Sequence, residues 1–190
     1  MKKFSAFAAL LLLFSAASLA SGQSPVAPEN IILEKKDLDI TVYDQEGKRL
    51  KFYSDLIEGK TVAINFIFTS CTTICPPLGA TFGQVQKKLA ENGASNVSLI
   101  SISVDPVTDT PERLKEWGAR FKAGPGWTFV TGSKTGIDQL LAGLGQHLAQ
   151  REDHSPTVII GNERAHYWTT AYGLSAPTKL VQLIEAARTR

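Results

Sequence analysis

Two cysteines are the whole thiol inventory of this 190-residue chain, and they sit four residues apart in Cys71-Thr-Thr-Ile-Cys75-Pro76. Thiolates are nucleophiles and soft metal ligands, so a lone pair at this spacing points to redox or metal chemistry. A third residue of interest is His154, in Asp153-His154-Ser155-Pro156, just ahead of another apolar run. Two thiolates and one imidazole suit copper. A structural zinc site normally takes four protein ligands, and the sequence offers no obvious fourth. The plainer alternative for the cysteines is a structural disulfide, although a bridge across so short a loop constrains little unfolded-chain entropy. For His154 the plainer alternative is a loop histidine that meets Asp153 or caps a strand. His147 and His166 read as surface or packing residues, the first on a partly exposed helix and the second in a strand beside Tyr167 and Trp168.

The flanking patterns say how such a site is built. Residues 62–68 are near-continuously apolar, as befits a central strand covered on both faces. Side chains four apart on a helix are separated by about 400°. A helical 71–75 would therefore turn both sulfurs the same way, with the free N–H groups and dipole of a helix start favouring thiolate over thiol. Phe82, Val85 and Leu89 recur at helical spacing up to Asn92-Gly93. Residues 97–104 form a second buried strand. Thr110-Pro111-Glu112 then opens a helix, with Thr as N-cap, Pro at the first helical position and Glu complementing the dipole.

Leu114, Trp117 and Phe121 make that helix's core stripe, and Trp117 and Trp127 belong to the core. Residues 127–130 predict a short strand, and Ile137, Leu140, Leu141 and Leu144 another helix. Residues 157–160 are the third long strand; 162–164 turn into a partner strand at 166–170, and 177–187 close the chain as a helix. Before all of these, 39–43 and 49–52 alternate around Asp44-Gln-Glu-Gly47, a β-hairpin signature, and 53–60 is a turn-like connection. The predicted class is α/β: a thioredoxin-like fold, with a central mixed sheet flanked by helices and an N-terminal hairpin.

In open α/β sheets, functional groups gather beyond the carboxyl ends of the parallel strands. Cys71 and Cys75 follow the first long strand and Asp105 the second. If 157–160 runs antiparallel, His154 enters at that same edge. Asp105 is equally well explained as a turn residue before Pro106.

Residues 1–22 have the layout of a secretory signal peptide: Lys2 and Lys3, an apolar stretch, then small residues, with cleavage expected after Ala20 or Gly22. The rival is an uncleaved anchor, since 4–20 is at the short limit for a span that needs about 20 residues. Residues 23–36 form a polar linker and 37–190 one domain. Either form of the leader implies export to an oxidising compartment, with a membrane tether if it is retained. Loss of Lys2 and Lys3 takes the formal charge from +2 to zero, and no basic patch remains to bind nucleic acid.

Four blocks then occur in order: Phe68-Thr-Ser-Cys71-Thr-Thr-Ile-Cys75-Pro76, Ser101-Ile-Ser-Val-Asp105-Pro-Val-Thr-Asp109-Thr-Pro-Glu112, Gly124-Pro-Gly-Trp127-Thr-Phe-Val-Thr-Gly132 and Asp153-His154-Ser155. From about Leu38 to the C-terminus, the chain resembles the Sco/SenC family. That resemblance implies an exported or membrane-tethered, periplasm-facing protein with a copper site made of Cys71, Cys75 and His154; Asp105 and Pro156, placed at the same sheet edge by the strand order, are the candidates for residues beside those ligands. It implies delivery of copper to, or reduction of the thiols of, the binuclear copper site of a cytochrome c oxidase subunit. Another exported thiol or copper protein is the alternative partner.

Two departures stand out. Thr72-Thr73 occupies the inter-cysteine position where the family often has Pro-Asp. Pro156 resembles the proline that thioredoxin-like oxidoreductases hold in cis opposite their cysteines, which favours a thiol–disulfide oxidoreductase acting through Cys71 and Cys75. A peroxidase of the peroxiredoxin type is the third class, disfavoured because no arginine lies near the pair in sequence.

Overall fold

Strand β3 (Thr61–Ile67) is the axis of the molecule, and every one of its seven residues is buried. The computed structural model describes residues 33–94, 96–146 and 155–190. Parallel to β3 runs β4 (Val97–Ser103), in register from Thr61 opposite Val97 to Ile67 opposite Ser103. On the other side β6 (Thr157–Asn162) is antiparallel, with Val158 opposite Asn65. The hairpin β1 (Thr41–Asp44) and β2 (Arg49–Lys51), then β5 (Trp127–Thr131) and β7 (Tyr167–Tyr172), complete a seven-stranded mixed sheet in the order β2-β1-β5-β4-β3-β6-β7. The fold is thioredoxin-like, as expected. Chain entering β6 arrives at the edge where β3 and β4 end, because β6 runs against them.

Both faces are covered, and strand alternation divides the core accordingly. Ala63 and Ile67 face the helices α2 (Cys75–Glu91), α3 (Pro111–Arg120) and α5 (Pro177–Arg188), in a cluster with Phe82, Val85, Trp117, Leu180 and Ile184. Val62, Ile64 and Phe66 face the short α1 (Lys35–Leu38) and α4 (Lys134–Gly143), whose Ile137, Leu140 and Leu141 are buried. The second face also contains a correction. Residues expected to form a turn-like connection include a π-helical segment, Phe52–Ile57, that buries Phe52, Tyr53, Leu56 and Ile57. Its capacity to bury four large side chains outweighs the poor geometry of π-helical hydrogen bonding.

Helix α2 carries the cysteine region, and two contacts fix its position. Trp117, Trp127 and Phe129 form an aromatic group that Phe82 of α2 joins at 5.9 Å from the Trp127 ring. Truncating one such buried ring typically costs about 3–5 kcal/mol. Gln86 clamps the helix to the loop ahead of β5: its Nε2 donates to the carbonyls of Gly124 and Pro125 at 3.0 Å each, and its Oε1 accepts from the Gly124 N–H at 3.0 Å. That clamp explains the Gly124-Pro-Gly block.

Gly79 of α2 leaves room for side chains of α3 and its C-cap: an added Cβ would lie 2.5 Å from Phe121 Cε2 and 2.7 Å from Trp117 Cη2. Aromatic rings packed on both sides cannot swing aside. Gly79→Val should therefore lose about 1–3 kcal/mol of stability, read as a lower urea midpoint at unchanged slope. A midpoint equal to the parent's would mean that α2 does not pack here as described.

Candidate metal centre

Cys71 stands in the loop between β3 and α2, and Cys75 is the first residue of α2. The helical phase assumed from the four-residue spacing is not what brings the sulfurs together, because residues 71–74 lie ahead of the helix. A tight turn does the work: the Cys71 N–H donates to the Phe68 carbonyl at 3.2 Å, and the Cys75 N–H donates to Cys71 Sγ at 3.4 Å. Helix starts leave several N–H groups without intrahelical partners. Pro76 and Pro77 have none to offer, and the N-cap Ile74 supplies no capping side chain, so the Cys71 sulfur takes the Cys75 N–H. Cys71 Sγ also meets Thr73 Oγ1 at 3.7 Å.

The two cysteines are not joined in a disulfide, and both are buried: Cys71 is 8% exposed and Cys75 is fully covered. Their acidities move in opposite directions. Burial acts to raise the Cys71 value. Hydrogen bonds from the Cys75 thiol, from the Cys75 and Thr73 backbone and from the Thr73 hydroxyl outweigh it and hold the Cys71 thiol below its ordinary range. Cys75 is pushed up to about 12, chiefly by burial, then by its hydrogen bond with Cys71, with the charges of Cys71 and Asp109 adding to the effect and a backbone hydrogen bond at Phe68 opposing it. The expectation that a helix start would favour both thiolates therefore holds for Cys71 only. Cys75 lies inside the protein rather than at the solvated helix end.

Residues 35–187 match the model of the SCO1/SenC family. The chain belongs to the SCO1/SenC family. The SCO1 protein homolog of Bacillus subtilis strain 168 is 39% identical over 155 residues, covering 80% of this chain and 75% of that protein. A solved structure of BsSco, a member of the Sco family of cytochrome c oxidase assembly proteins in which a disulfide switch was identified, is 28% identical with a TM-score of 0.71. That match covers 86% of this chain and 96% of the other. Yeast Sco1, solved with copper bound, has a TM-score of 0.66 at 20% identity, over 80% of this chain and 91% of its own; at that identity the likeness shows the fold alone.

The other residues singled out in this SCO1/SenC protein fall as follows. His154 and His147 lie outside the described residues, as do the proposed leader and most of the linker. Among the described residues no group of three His, Cys, Asp or Glu side chains is arranged to hold a metal ion. Asp105 is buried at the edge beyond β4, and its backbone builds a turn: its carbonyl accepts from Thr108 and Asp109 at 3.0 and 2.9 Å. Pro156 enters β6 at the cysteine edge, with its carbonyl accepting from the Gly173 N–H. No cis peptide bond occurs among the described residues, so the Ser155–Pro156 bond, whose isomer the sequence left open, is trans. His166 sits exposed in the turn before β7, with φ at 49°, rather than in the strand.

Sequence reasoning missed Asp109. It stood in a quoted block without an assigned role, yet it is 1% exposed and bound to Thr69, two residues before Cys71. Its one signal was position: a carboxylate between a buried strand and a capped helix.

A lowered value means that the Cys71 thiolate is populated at lower pH than in a free cysteine, where ionisation is centred near about 8.5. Iodoacetamide should therefore label Cys71 with a midpoint below that value and leave Cys75 unlabelled through the neutral and mildly alkaline range, as site-resolved mass spectrometry would show. Equal labelling of the two thiols would contradict the asymmetry.

Proposed function

We infer that this protein is an exported copper carrier that holds the ion through Cys71, Cys75 and His154, and that serves the binuclear copper site of a respiratory cytochrome c oxidase. The observation that carries this is the pair of unbridged cysteines gathered by one turn at the carboxyl edge of the sheet. The donor set fits: soft thiolates with an imidazole suit copper, and a buried pair of sulfurs can close around an ion without ordering a long loop. The relative in which a disulfide switch was identified belongs to a family of cytochrome c oxidase assembly proteins, which supports the same assignment here.

Copper is cargo in this scheme. Only the dithiol form can take it, because thiolates are the ligands. Thr72 and Thr73 are exposed between the cysteines, so a partner's ligands can approach from that side and displace the protein's own one at a time. Residues 1–22 would direct export and, if retained, tether the domain to the membrane facing the periplasm.

Thiol–disulfide exchange is the second reading, and the opposite acidities of the two thiols favour it. Cys71 as thiolate would attack a partner disulfide and release one partner thiolate. Cys75 would then displace the second, leaving a Cys71–Cys75 disulfide and a reduced partner dithiol. Reduction of the oxidase's copper-site cysteines ahead of metal delivery would use this step.

Reduced protein should take up one copper ion per chain in anaerobic titration against a Cu(I) chelator. Cys71→Ser, Cys75→Ser and His154→Ala should each lose tight retention while keeping the parent's fold by circular dichroism. Parental retention in all three variants would place the copper elsewhere.

A further inference from the structure

Asp109 is a charged side chain with almost no solvent contact, and four donor–acceptor contacts converge on it. The Thr69 N–H lies 3.2 and 3.1 Å from its two oxygens, the Thr69 hydroxyl 2.6 Å from Oδ1 and the Ser103 hydroxyl 2.7 Å from Oδ2. Neighbouring donors fix the direction of both hydroxyl bonds. Arg113 Nε donates to Thr69 Oγ1 at 3.2 Å, and the Asp105 N–H donates to Ser103 Oγ at 3.1 Å. Each hydroxyl oxygen accepts one of these bonds and donates its own proton to Asp109.

These bonds join three parts of the chain. Ser103 ends β4, Asp109 stands next to Thr110, the N-cap of α3, and Thr69 begins the turn that leads to Cys71. The turn's own closure is local: the Cys71 N–H donates to the Phe68 carbonyl, the Cys75 N–H donates to Cys71 Sγ, and Cys71 Sγ meets Thr73 Oγ1. Ser70, Thr72 and Thr73 are exposed and add no packing. Of the contacts that tie this turn to the rest of the fold, the Asp109 carboxylate receives both polar groups of Thr69.

We propose that Asp109 is a positioning residue for the cysteine pair: by holding Thr69 it sets where Cys71 Sγ stands relative to Cys75. This rests on the cysteine pair being the working site, and not on which ion or partner it serves.

The measurement is the equilibrium of the pair with glutathione. One glutathione disulfide oxidises the dithiol to the Cys71–Cys75 disulfide and yields two glutathione thiols, so the constant reports the effective concentration of one protein thiol at the other. Asp109→Ala should lower it by about tenfold or more, as loss of a supporting partner or a misplacement of about 1 Å does at other sites. Asp109→Asn can keep Oδ1 towards Thr69 and present Nδ2 to Ser103 Oγ, so it should stay nearer the parent than Asp109→Ala does. Thr69→Val removes a single hydroxyl from a half-buried turn, and carries the test if Asp109→Ala does not fold.

Gly47→Ala serves as the control. It strains a remote hairpin turn at φ +78° and should lower thermal stability without moving the constant. A parental constant in both Asp109→Ala and Thr69→Val overturns the proposal, and so does a shift in Gly47→Ala as large as theirs. Cu(I) titration of the parent keeps the two inferences separate: failure to bind copper would remove the metal assignment and leave the glutathione result standing.

Discussion

One contact organises the cysteine region: the first N–H of α2 points at a sulfur instead of at a capping oxygen. Helix starts are electropositive, and an acceptor placed there gains from both the hydrogen bond and the dipole. Here the two residues after Cys75 are prolines, so competition for that acceptor is small. The consequence is a division of labour within four residues of chain. Cys71 sits where negative charge is stabilised; Cys75, one turn of chain later, is sealed beneath α2, where it is not.

That division depends on packing far from the sulfurs. Helix α2 can bury Cys75 only because Gly79 lets α3 approach, Phe82 joins the aromatic group under β4 and β5, and Gln86 ties the helix to the loop before β5. Beneath it, a polar thread runs from Trp127 Nε1 to Ser101 Oγ and on to Asn65 Oδ1, crossing three adjacent strands of an otherwise apolar face. A packed platform with an exposed two-threonine spacer on top suits transfer of an ion or of electrons. The same asymmetry therefore serves metal carriage and thiol exchange, and chemistry at the pair alone does not separate them.

Much of this was legible in the residues. The seven strands, the capped start of α3 and the amphipathic stripes of α2, α4 and α5 follow from periodicity and capping signals whose physical basis is local. Thr110 does accept from the Arg113 N–H, and Trp117 and Trp127 are core residues. The segment after β2 was harder: Phe52, Tyr53, Leu56 and Ile57 carry a helical spacing, but it spans too few residues to stand out from a turn until the sheet supplies a surface for it. The trans Ser155–Pro156 bond shows the limit of analogy, since a proline in a familiar place does not fix its isomer.

From the chain alone came the choice of the two cysteines as the reactive pair, the order of strands and helices, and the sheet edge at which that pair stands. Those are properties of residue type, spacing and period, which need no knowledge of neighbours. Only the tertiary structure decided that the cysteines meet through a turn rather than along a helix face, that one thiol is acidic and the other suppressed, and that Asp109 lies inside the protein holding Thr69. Burial suppresses the Cys75 thiol and the Thr69–Asp109 bond joins residues 40 apart, and desolvation and through-space hydrogen bonding leave no trace in the order of residues.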